Sequence, residues 1–131
     1  VTYGAAKNVP GLVCVLTFGT GIGSALFVDG VLVPNSEFGH LEFKGMDAED
    51  YASARTRKAG NLSWEEWGGR VAEYLRHLER IMTPDLFIIG GGVSRKLDEF
   101  REFIEVATPI VPARLRNSAG IVGAALAAAA D

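Results

Sequence analysis

Residues 12–33, LVCVLTFGTGIGSALFVDGVLV, decide how this chain folds. They hold three short apolar runs, which are separated by the glycine-rich turn 19–23 and by Asp29-Gly30. The first run, 12–18, is uninterrupted, as is typical of a buried strand. Asp-Gly between two apolar runs is a strong hairpin signal. The stretch therefore predicts three successive strands joined by tight turns.

The rest of the chain predicts alternating loops, helices and strands. A polar loop is expected over 34–46, helices over 47–58, 64–82, 94–105 and 117–130, and strands over 86–89 and 110–111. Ser63 and Glu66 have capping-box spacing at the start of the second helix, and Pro84 ends it. The order β-β-β-α-α-β-α-β-α predicts an α/β fold, a mixed sheet with flanking helices, in a single domain over 1–131.

Composition and charge exclude several classes of protein. With 131 residues, 48% of them hydrophobic, the chain can bury a core without disulfides. A net charge of −3 argues against a nucleic-acid partner, which a basic excess would indicate. No apolar stretch approaches the ~20 residues of a spanning helix, so no membrane partner is expected. The single cysteine, Cys14, lies in an apolar run and is expected to be a buried hydrophobe in a reducing, cytoplasmic protein.

Two glycine clusters are candidate anion sites. The first comprises Gly19, Thr20, Gly21 and Gly23, whose bare backbone N–H groups could meet a phosphate, although a tight hairpin without a ligand also explains them. It matches neither a Rossmann fingerprint nor a P-loop. The second cluster follows a buried strand and precedes a helix, where open α/β sheets bind small molecules. It consists of Gly90, Gly91 and Gly92, and a plain connector capped by Ser94 is its alternative.

A third candidate site is the polar loop that contains Glu37 and His40, with Glu49 further along the chain. Carboxylate and imidazole groups bind adjacent sugar hydroxyls, but an ordinary solvated loop has the same composition. No metal site is expected, because His40 and His77 have no cysteine cluster beside them.

Basic and aromatic residues add two further hypotheses. The basic set is expected to be solvated or to form a polyphosphate track; it comprises Arg55, Arg57, Lys58, Arg95 and Lys96. Trp64 and Trp67 are expected in the core or at a subunit interface. Gly120, Gly123, Ala124 and Ala127 indicate close helix packing.

Four blocks of this sequence resemble the ROK family of sugar kinases and repressors, and specifically its polyphosphate glucokinase branch. The blocks are LTFGTGIGSALFVDGVLVPNSEFGHLEF (16–43), AEDYASARTR (48–57), LSWEEWGGRVAEYLRHLERIMTPDLFIIGGGVS (62–94) and TPIVPARLRNSAGIVGAALAA (108–128). The resemblance covers nearly the whole chain. It implies one lobe of the ribonuclease-H-like, actin-like ATPase (hexokinase-type) fold.

The resemblance also implies roles for the candidate residues. The glycines at 19, 21 and 23 with Thr20 would form a phosphate-binding loop, and Gly90, Gly91 and Gly92 would border the nucleotide or polyphosphate. Glu37, His40 and Glu49 would contact the sugar hydroxyls. The clustered cysteines of the family's zinc motif are absent, so Mg²⁺ with the phosphoryl donor is the expected cofactor, without zinc.

Two motifs of the resembled family are missing from residues 1–131. ROK kinases have an N-terminal D-x-G-G-T phosphate loop and an Asn-Asp pair whose Asp is the general base, and neither occurs within 1–131. The chain is therefore expected to be the C-terminal lobe of a glucokinase, without its catalytic Asp, and to be inactive alone. The complete enzyme would phosphorylate the 6-hydroxyl of glucose from polyphosphate or ATP.

Two further expectations concern an alternative function and the assembly of the chain. The alternative function is a non-catalytic sugar-sensing domain of the repressor type. A homodimer is also expected, because the apolar side of helix 64–82 could form a two-fold interface. That side comprises Trp67, Val71, Tyr74, Leu75, Leu78 and Ile81.

Overall fold

The computed structural model of the chain describes residues 9–34 and 36–113. The strands are β1 (Leu12–Phe18), β2 (Ile22–Val28), β3 (Val31–Val33), β4 (Glu42–Phe43), β5 (Met46–Asp47), β6 (Leu86–Gly90) and β7 (Ile110–Pro112). The α-helices are α1 (Glu49–Ala52), α2 (Ala54–Ala59), α3 (Trp64–Met82) and α4 (Leu97–Phe100). Short 3₁₀ helices span Phe38–His40, Gly92–Lys96 and Arg101–Phe103.

Five strands form one mixed sheet in the order β3-β2-β1-β6-β7. Strands β1, β2 and β3 pair antiparallel, which confirms the predicted hairpins, whereas β1–β6 and β6–β7 are parallel. Asp29 and Gly30 have φ angles of 50° and 82°, as expected of the left-handed turn that suits a two-residue hairpin. The mixed sheet predicted from the element order is confirmed.

The parallel pairing of β1 with β6 brings the two glycine clusters together. Thr17 lies opposite Gly90, so the turns that follow both strands leave the same edge of the sheet. Gly91 has a φ of 84°, and a Cβ there would lie 2.8 Å from the carbonyl oxygen of Phe18. Only glycine allows this conformation at such a close approach.

Helix α3 packs one face of the sheet through its apolar side. Ser63 accepts from the backbone N–H of Glu66, whose carboxylate accepts in return from Ser63 N–H, so the predicted capping box is present. The apolar side of α3 lies inside the chain's own core. Trp67, Val71, Tyr74, Leu75 and Leu78 are all 0% exposed.

This burial corrects the argument for the dimer. The helix face offered as a two-fold interface is covered within one chain, and of the predicted set only Ile81 is exposed. Among the described residues, exposed large apolar side chains concentrate instead at the end of β2 and along β3, in Val28, Val31, Leu32 and Val33. The homodimer stays a prediction, without the surface first proposed for it.

Three predicted elements differ in detail. The expected loop 34–46 contains the small β4–β5 hairpin, whose turn residues Lys44 and Gly45 have φ angles of 55° and 81°. The helix expected over 47–58 is broken at Ser53, where the backbone is extended. The helix expected over 94–105 consists of short 3₁₀ and α segments.

The break at Ser53 has an identifiable cause. The indole N–H of Trp67 donates to the carbonyl oxygens of Ala52 and Ser53, at 3.1 Å each. These carbonyls therefore accept from a tertiary donor at the point where the helix stops. The chain restarts in α2 with Arg55 N–H donating to Gly19 O, at 3.0 Å.

Three remaining expectations concern the cysteine, the last predicted helix and the membrane. Cys14 is buried, as predicted, and burial raises the pKa of its thiol to about 12. The predicted helix 117–130, with its small residues, lies outside the described residues. Over the described ranges, no helix combines the length and apolar character needed to cross a membrane.

Candidate functional site

The turn between β1 and β2 lies at the centre of the candidate site. Gly19 N–H donates to Gly21 O at 2.9 Å, which closes the turn. A Cβ on Gly19 would meet no other atom within 4 Å, so this residue faces open space. A Cβ on Gly21 would lie 2.5 Å from a carboxylate oxygen of Glu49. The turn thus separates an open cavity from an acidic cluster.

The cavity has a volume of about 770 Å³ and contains both glycine clusters in its wall. Gly19, Thr20 and Gly92 line it, together with cationic side chains from α2 and from the 3₁₀ helix Gly92–Lys96. The remaining lining residues are Phe18, Ala54, Arg55, Arg57, Lys58, Ala59, Trp64, Val93 and Lys96. Among the described residues, four cations and no carboxylate line this cavity, so it favours an anionic ligand.

Arg55 fixes the turn to α2. Its Nε donates to Thr20 O at 2.9 Å, and its Nη2 lies 3.0 Å from a carboxylate oxygen of Asp50. The bond to Thr20 O holds the loop in shape, and the ion pair with Asp50 offsets part of the positive charge of Arg55. Arg57, Lys58 and Lys96 supply the cavity's other positive charges.

The second part of the site is a cluster of His40, Asp47 and Glu49. His40 Nδ1 lies 3.4 Å from an oxygen of Asp47 and 3.8 Å from an oxygen of Glu49. Glu49 also accepts from Ile22 N–H at 3.2 Å, so its carboxylate is tied to the β1–β2 turn. Glu37 directly precedes the 3₁₀ helix that contains His40, and its charge acts on the imidazole.

Buried contacts position the segment that carries His40. Tyr74 of α3 donates its hydroxyl to Phe38 O at 2.9 Å, and Phe38 N–H donates to Ser24 Oγ at 2.9 Å. Gly39 is buried against Ile22, because a Cβ there would overlap the Ile22 carbonyl oxygen. Helix α3 and strand β2 therefore hold the cluster from both sides.

A separate network holds the β4–β5 hairpin, which supplies Asp47. Lys44 Nζ lies 2.6 Å from one Glu73 oxygen, and the Tyr51 hydroxyl donates to the other at 2.9 Å. Phe43 packs edge-on against Tyr51, with 5.7 Å between ring centroids. These contacts join the hairpin and α1 to α3, and so they fix the acidic side of the cluster.

The carboxylates around His40 change its titration. Its hydrogen bond with Asp47, followed by the charge of Glu49, raises the pKa of His40 above its usual value. The imidazole is exposed, so solvent screens these charges. Ligand atoms of His40, Asp47 and Glu49 lie within 4.8 Å of one another, and this spacing suits either sugar hydroxyls or a divalent cation.

We expect the substitution Asp47→Asn to lower the pKa of His40, because it removes the carboxylate that favours the protonated imidazole. Protonated His40 stabilises the folded chain below the ordinary imidazole pKa of about 6.5, and this contribution is lost as pH rises through the raised pKa. NMR titration of the His40 ring protons measures the change. Glu42→Asn serves as the control, and equal His40 pKa values in wild type and Asp47→Asn would contradict the expectation.

The structure separates the predicted residues into three groups. His40 and Glu49 come together, whereas Glu37 lies three residues before His40 and acts on it through its charge. Gly19, Thr20 and Gly92 line the cavity. Thr17 fills the space beside Gly23 and Gly90, while Gly21 and Gly91 make the close approaches already described. Their direct contact with phosphate stays a prediction.

Sequence reasoning missed Asp47 as a member of the cluster and the pairing of Arg57 with Trp64 at the cavity. The available signal for Asp47 is its position two residues before Glu49 and directly after the predicted polar loop 34–46. The sequence places Arg57 in the basic set and Trp64 beside Trp67, but nothing in their spacing predicts that Arg57 and Trp64 are in contact.

Comparison with known proteins identifies relatives of this chain. No protein-family model matches the chain. A polyphosphate glucokinase of Mycobacterium tuberculosis is 52% identical over 129 residues, which are 98% of this chain and 49% of that protein. The polyphosphate glucokinase of Mycobacterium leprae is 51% identical and is covered to 40%. The chain thus spans about half the length of the curated relatives it matches.

Solved structures give the same assignment. The inorganic polyphosphate/ATP-glucomannokinase of Arthrobacter sp. strain KM is 48% identical, with a TM-score of 0.82 over 97% of this chain and 53% of that one. A ROK family glucokinase of Streptomyces griseus is 21% identical, with a TM-score of 0.66 over 93% of this chain and 64% of that one, and it shows the shared fold. The predicted lobe of the actin-like ATPase fold is confirmed, and so is the resemblance: nearly the whole chain is similar to polyphosphate glucokinases, and it shares the fold of ROK family sugar kinases.

Proposed function

We propose that this chain is the sugar- and phosphate-binding half of a kinase that transfers a phosphoryl group from polyphosphate or ATP to the 6-hydroxyl of glucose. One observation carries the proposal: the cationic cavity and the His40 cluster meet at the same turn. Thr20 lines the cavity, while Ile22 N–H, two residues on, is bonded to Glu49. A donor and an acceptor bound on the two sides of this turn would be neighbours.

In this proposal the chain acts by orientation and charge. Glu37, His40 and Glu49 hold the sugar hydroxyls, and the backbone of 19–21 with the cavity's cations neutralises phosphate oxygens. The 6-hydroxyl oxygen forms a bond to the terminal phosphorus as the bond to the remaining phosphate chain breaks. Fixing both partners lowers the barrier by as much as ~7–11 kcal/mol in favourable cases.

The hydroxyl proton needs a base, and the Asn-Asp pair whose Asp is the general base in the resembled kinases does not occur within residues 1–131. We place the carboxylate that accepts this proton on a part of the enzyme other than this chain. The 131-residue chain is then expected to bind its substrates without turning them over.

Mg²⁺ does not fit the described cavity as a protein-held ion. It prefers carboxylate oxygens together with substrate phosphates, and Arg55, Arg57, Lys58 and Lys96 are the charged groups that line the cavity. We expect Mg²⁺ to enter with the donor's phosphates.

The sugar-sensing alternative is not favoured. The relatives at 51% and 52% identity are named as polyphosphate glucokinases. Both candidate subsites of this chain are also lined by charged groups suited to a phosphoryl donor and a polyol.

The proposal is tested with the purified 131-residue chain. Calorimetric titration is expected to show binding of glucose and of inorganic polyphosphate, with sorbitol as the open-chain control for the sugar. A coupled assay for glucose 6-phosphate is expected to show no turnover. Absence of binding to both substrates would contradict the proposed function, whereas turnover by the chain alone would contradict only the expected inactivity.

A further inference from the structure

The wall of the cavity contains an arginine laid over a tryptophan. The guanidinium carbon of Arg57 lies 3.9 Å from the ring centroid of Trp64, well within the range of a cation–π contact. Arg57 Nη1 also donates to Leu62 O at 3.3 Å, which holds the side chain in place. Both residues line the cavity.

The other contacts of Trp64 fix the indole from the direction of the core. The buried ring of Phe100 stacks on it, with centroids 5.5 Å apart and planes 16° apart. Trp67, which is fully buried, packs edge-on at 6.0 Å. These two ring contacts hold the indole in place as a support for Arg57.

This arrangement affects whether a nucleobase or a phosphate group can bind beside Arg57. Proteins commonly bind nucleobases by stacking them on exposed aromatic faces. Here the guanidinium already covers an indole face at the cavity, so a base would have to displace Arg57 to stack there. Most N–H donors of Arg57 stay available, and a guanidinium binds phosphate through two parallel hydrogen bonds.

Two neighbouring lysines also favour a phosphate ligand. Lys58 follows Arg57 on α2, and Lys96 lines the cavity from the 3₁₀ helix Gly92–Lys96. A phosphate polymer has negative charge on every unit, so it can pair with all of these cations at once. A nucleoside triphosphate has its charge at one end only, so it can pair with fewer of these cations at once.

We propose that Arg57, held on Trp64, makes this cavity select an inorganic polyphosphate chain over a nucleoside triphosphate. The inference rests on the proposed function, because it assigns the phosphoryl donor to this cavity. It adds a specificity-determining residue that acts through both its charge and its position over the indole.

The test titrates the 131-residue chain with medium-length polyphosphate and, separately, with ATP, each in the presence of Mg²⁺. Arg57→Ala is expected to weaken polyphosphate binding about fivefold, as for one exposed charged contact, and to change ATP binding by about twofold or less. Arg57→Lys keeps the charge but loses the planar stack, and it should fall between wild type and Arg57→Ala. Arg80→Ala, which removes a positive charge at the far end of α3, is the matched control and should change neither affinity.

A spectroscopic readout separates a binding role from a structural one. Polyphosphate that engages Arg57 is expected to change the tryptophan emission of the chain, and Trp64→Phe should abolish that change while leaving buried Trp67 as the remaining fluorophore. Circular dichroism verifies that each variant is folded, and Arg57→Lys decides the question if Arg57→Ala does not fold.

The outcomes distinguish this inference from the proposed function. If the wild-type chain binds polyphosphate but Arg57→Ala and Arg57→Lys bind it equally well, the role of Arg57 is wrong and the proposed function stands. Tighter binding of ATP than of polyphosphate by the wild-type chain would also overturn the inference alone. Binding of neither donor would contradict the proposed function and the inference together.

Discussion

Replacing Trp67 with alanine is expected to destabilise the chain by about 3–5 kcal/mol, the range for removing a large buried aromatic side chain. This loss is large because small domains have a total stability of roughly 5–15 kcal/mol. Trp67 is 0% exposed, and its ring packs edge-on against Phe18 at 5.9 Å and Phe100 at 4.8 Å. Alanine would leave a cavity at the centre of the core.

The indole N–H adds a second contribution. It donates to the carbonyls of Ala52 and Ser53. Ser53 O also accepts from the backbone N–H and the hydroxyl of Thr56, so the substitution removes one of its donors, whereas Ala52 O loses the indole donor shown for it. These carbonyls lie between α1, which begins with Glu49, and α2, which carries three of the cavity's cations. Loss of Trp67 is therefore expected to loosen both halves of the candidate site as well as the core.

Urea denaturation followed by far-UV circular dichroism measures the effect, because the signal does not depend on the tryptophan that is removed. Trp67→Phe keeps an aromatic ring but not the donor, and it should cost less than Trp67→Ala. Trp64→Ala, three residues earlier in the same helix, is the matched control. A half-buried residue at that position should cost clearly less, and equal losses for Trp64→Ala and Trp67→Ala would contradict the assignment of Trp67 to the core.

The central sheet could be predicted from the sequence because its signals are local. The Asp29-Gly30 turn, the uninterrupted run 12–18 and the capping box at Ser63 each depend on residues close together in the chain. The bounds of α3 were also predicted correctly, from a capping signal at one end and Pro84 beyond the other. Each of these features retains its preferred conformation in the folded chain.

Long-range contacts set the features that the sequence did not reveal. Trp67 interrupts the helix expected over 47–58 from fourteen and fifteen residues away along the chain. The β4–β5 hairpin has only two residues in each strand, and its Lys44-Gly45 turn lacks the usual Asn or Asp. Its position depends on Glu73 of α3, which no local pattern could indicate.

The candidate site was predicted as separate residues rather than as one arrangement. Their residue types and the family resemblance both point to Glu37, His40 and Glu49, and the structure adds Asp47 beside His40. The meeting of the cavity and the cluster at one turn follows from the hydrogen bond between Ile22 and Glu49, whose positions are 27 residues apart. Such a contact is a property of the fold and not of either sequence motif.

Replacing Glu49 with glutamine is expected to weaken glucose binding about tenfold to 150-fold, because a hydrogen bond to a charged group contributes roughly 1.5–3 kcal/mol. The side chain is only 25% exposed, so less solvent screens its charge than screens that of Asp47. Glutamine has the same shape and still offers an oxygen to Ile22 N–H. The substitution thus removes the negative charge with little change in structure.

Under the proposed function, the charge of Glu49 would act on the sugar directly and through His40. One Glu49 oxygen is occupied by Ile22 N–H, which leaves the oxygen near His40 Nδ1 as the better placed acceptor for a sugar hydroxyl. His40→Ala is expected to weaken glucose binding as well, but less, because the imidazole is more exposed than the carboxylate. In an enzyme that contains this chain, both substitutions should raise the KM for glucose and lower kcat/KM.

Calorimetric titration of the chain with glucose measures the effect of Glu49→Gln, and the titration with polyphosphate provides an internal reference. Polyphosphate affinity should stay unchanged or rise slightly, because the substitution removes a negative charge near the donor cavity. Glu42→Gln, an exposed carboxylate on β4, is the matched control and should bind glucose like wild type. If Glu49→Gln is folded and binds glucose as tightly as Glu42→Gln, the assignment of this cluster to the sugar is wrong, and the cluster is a solvated surface that the β1–β2 turn happens to hold in place.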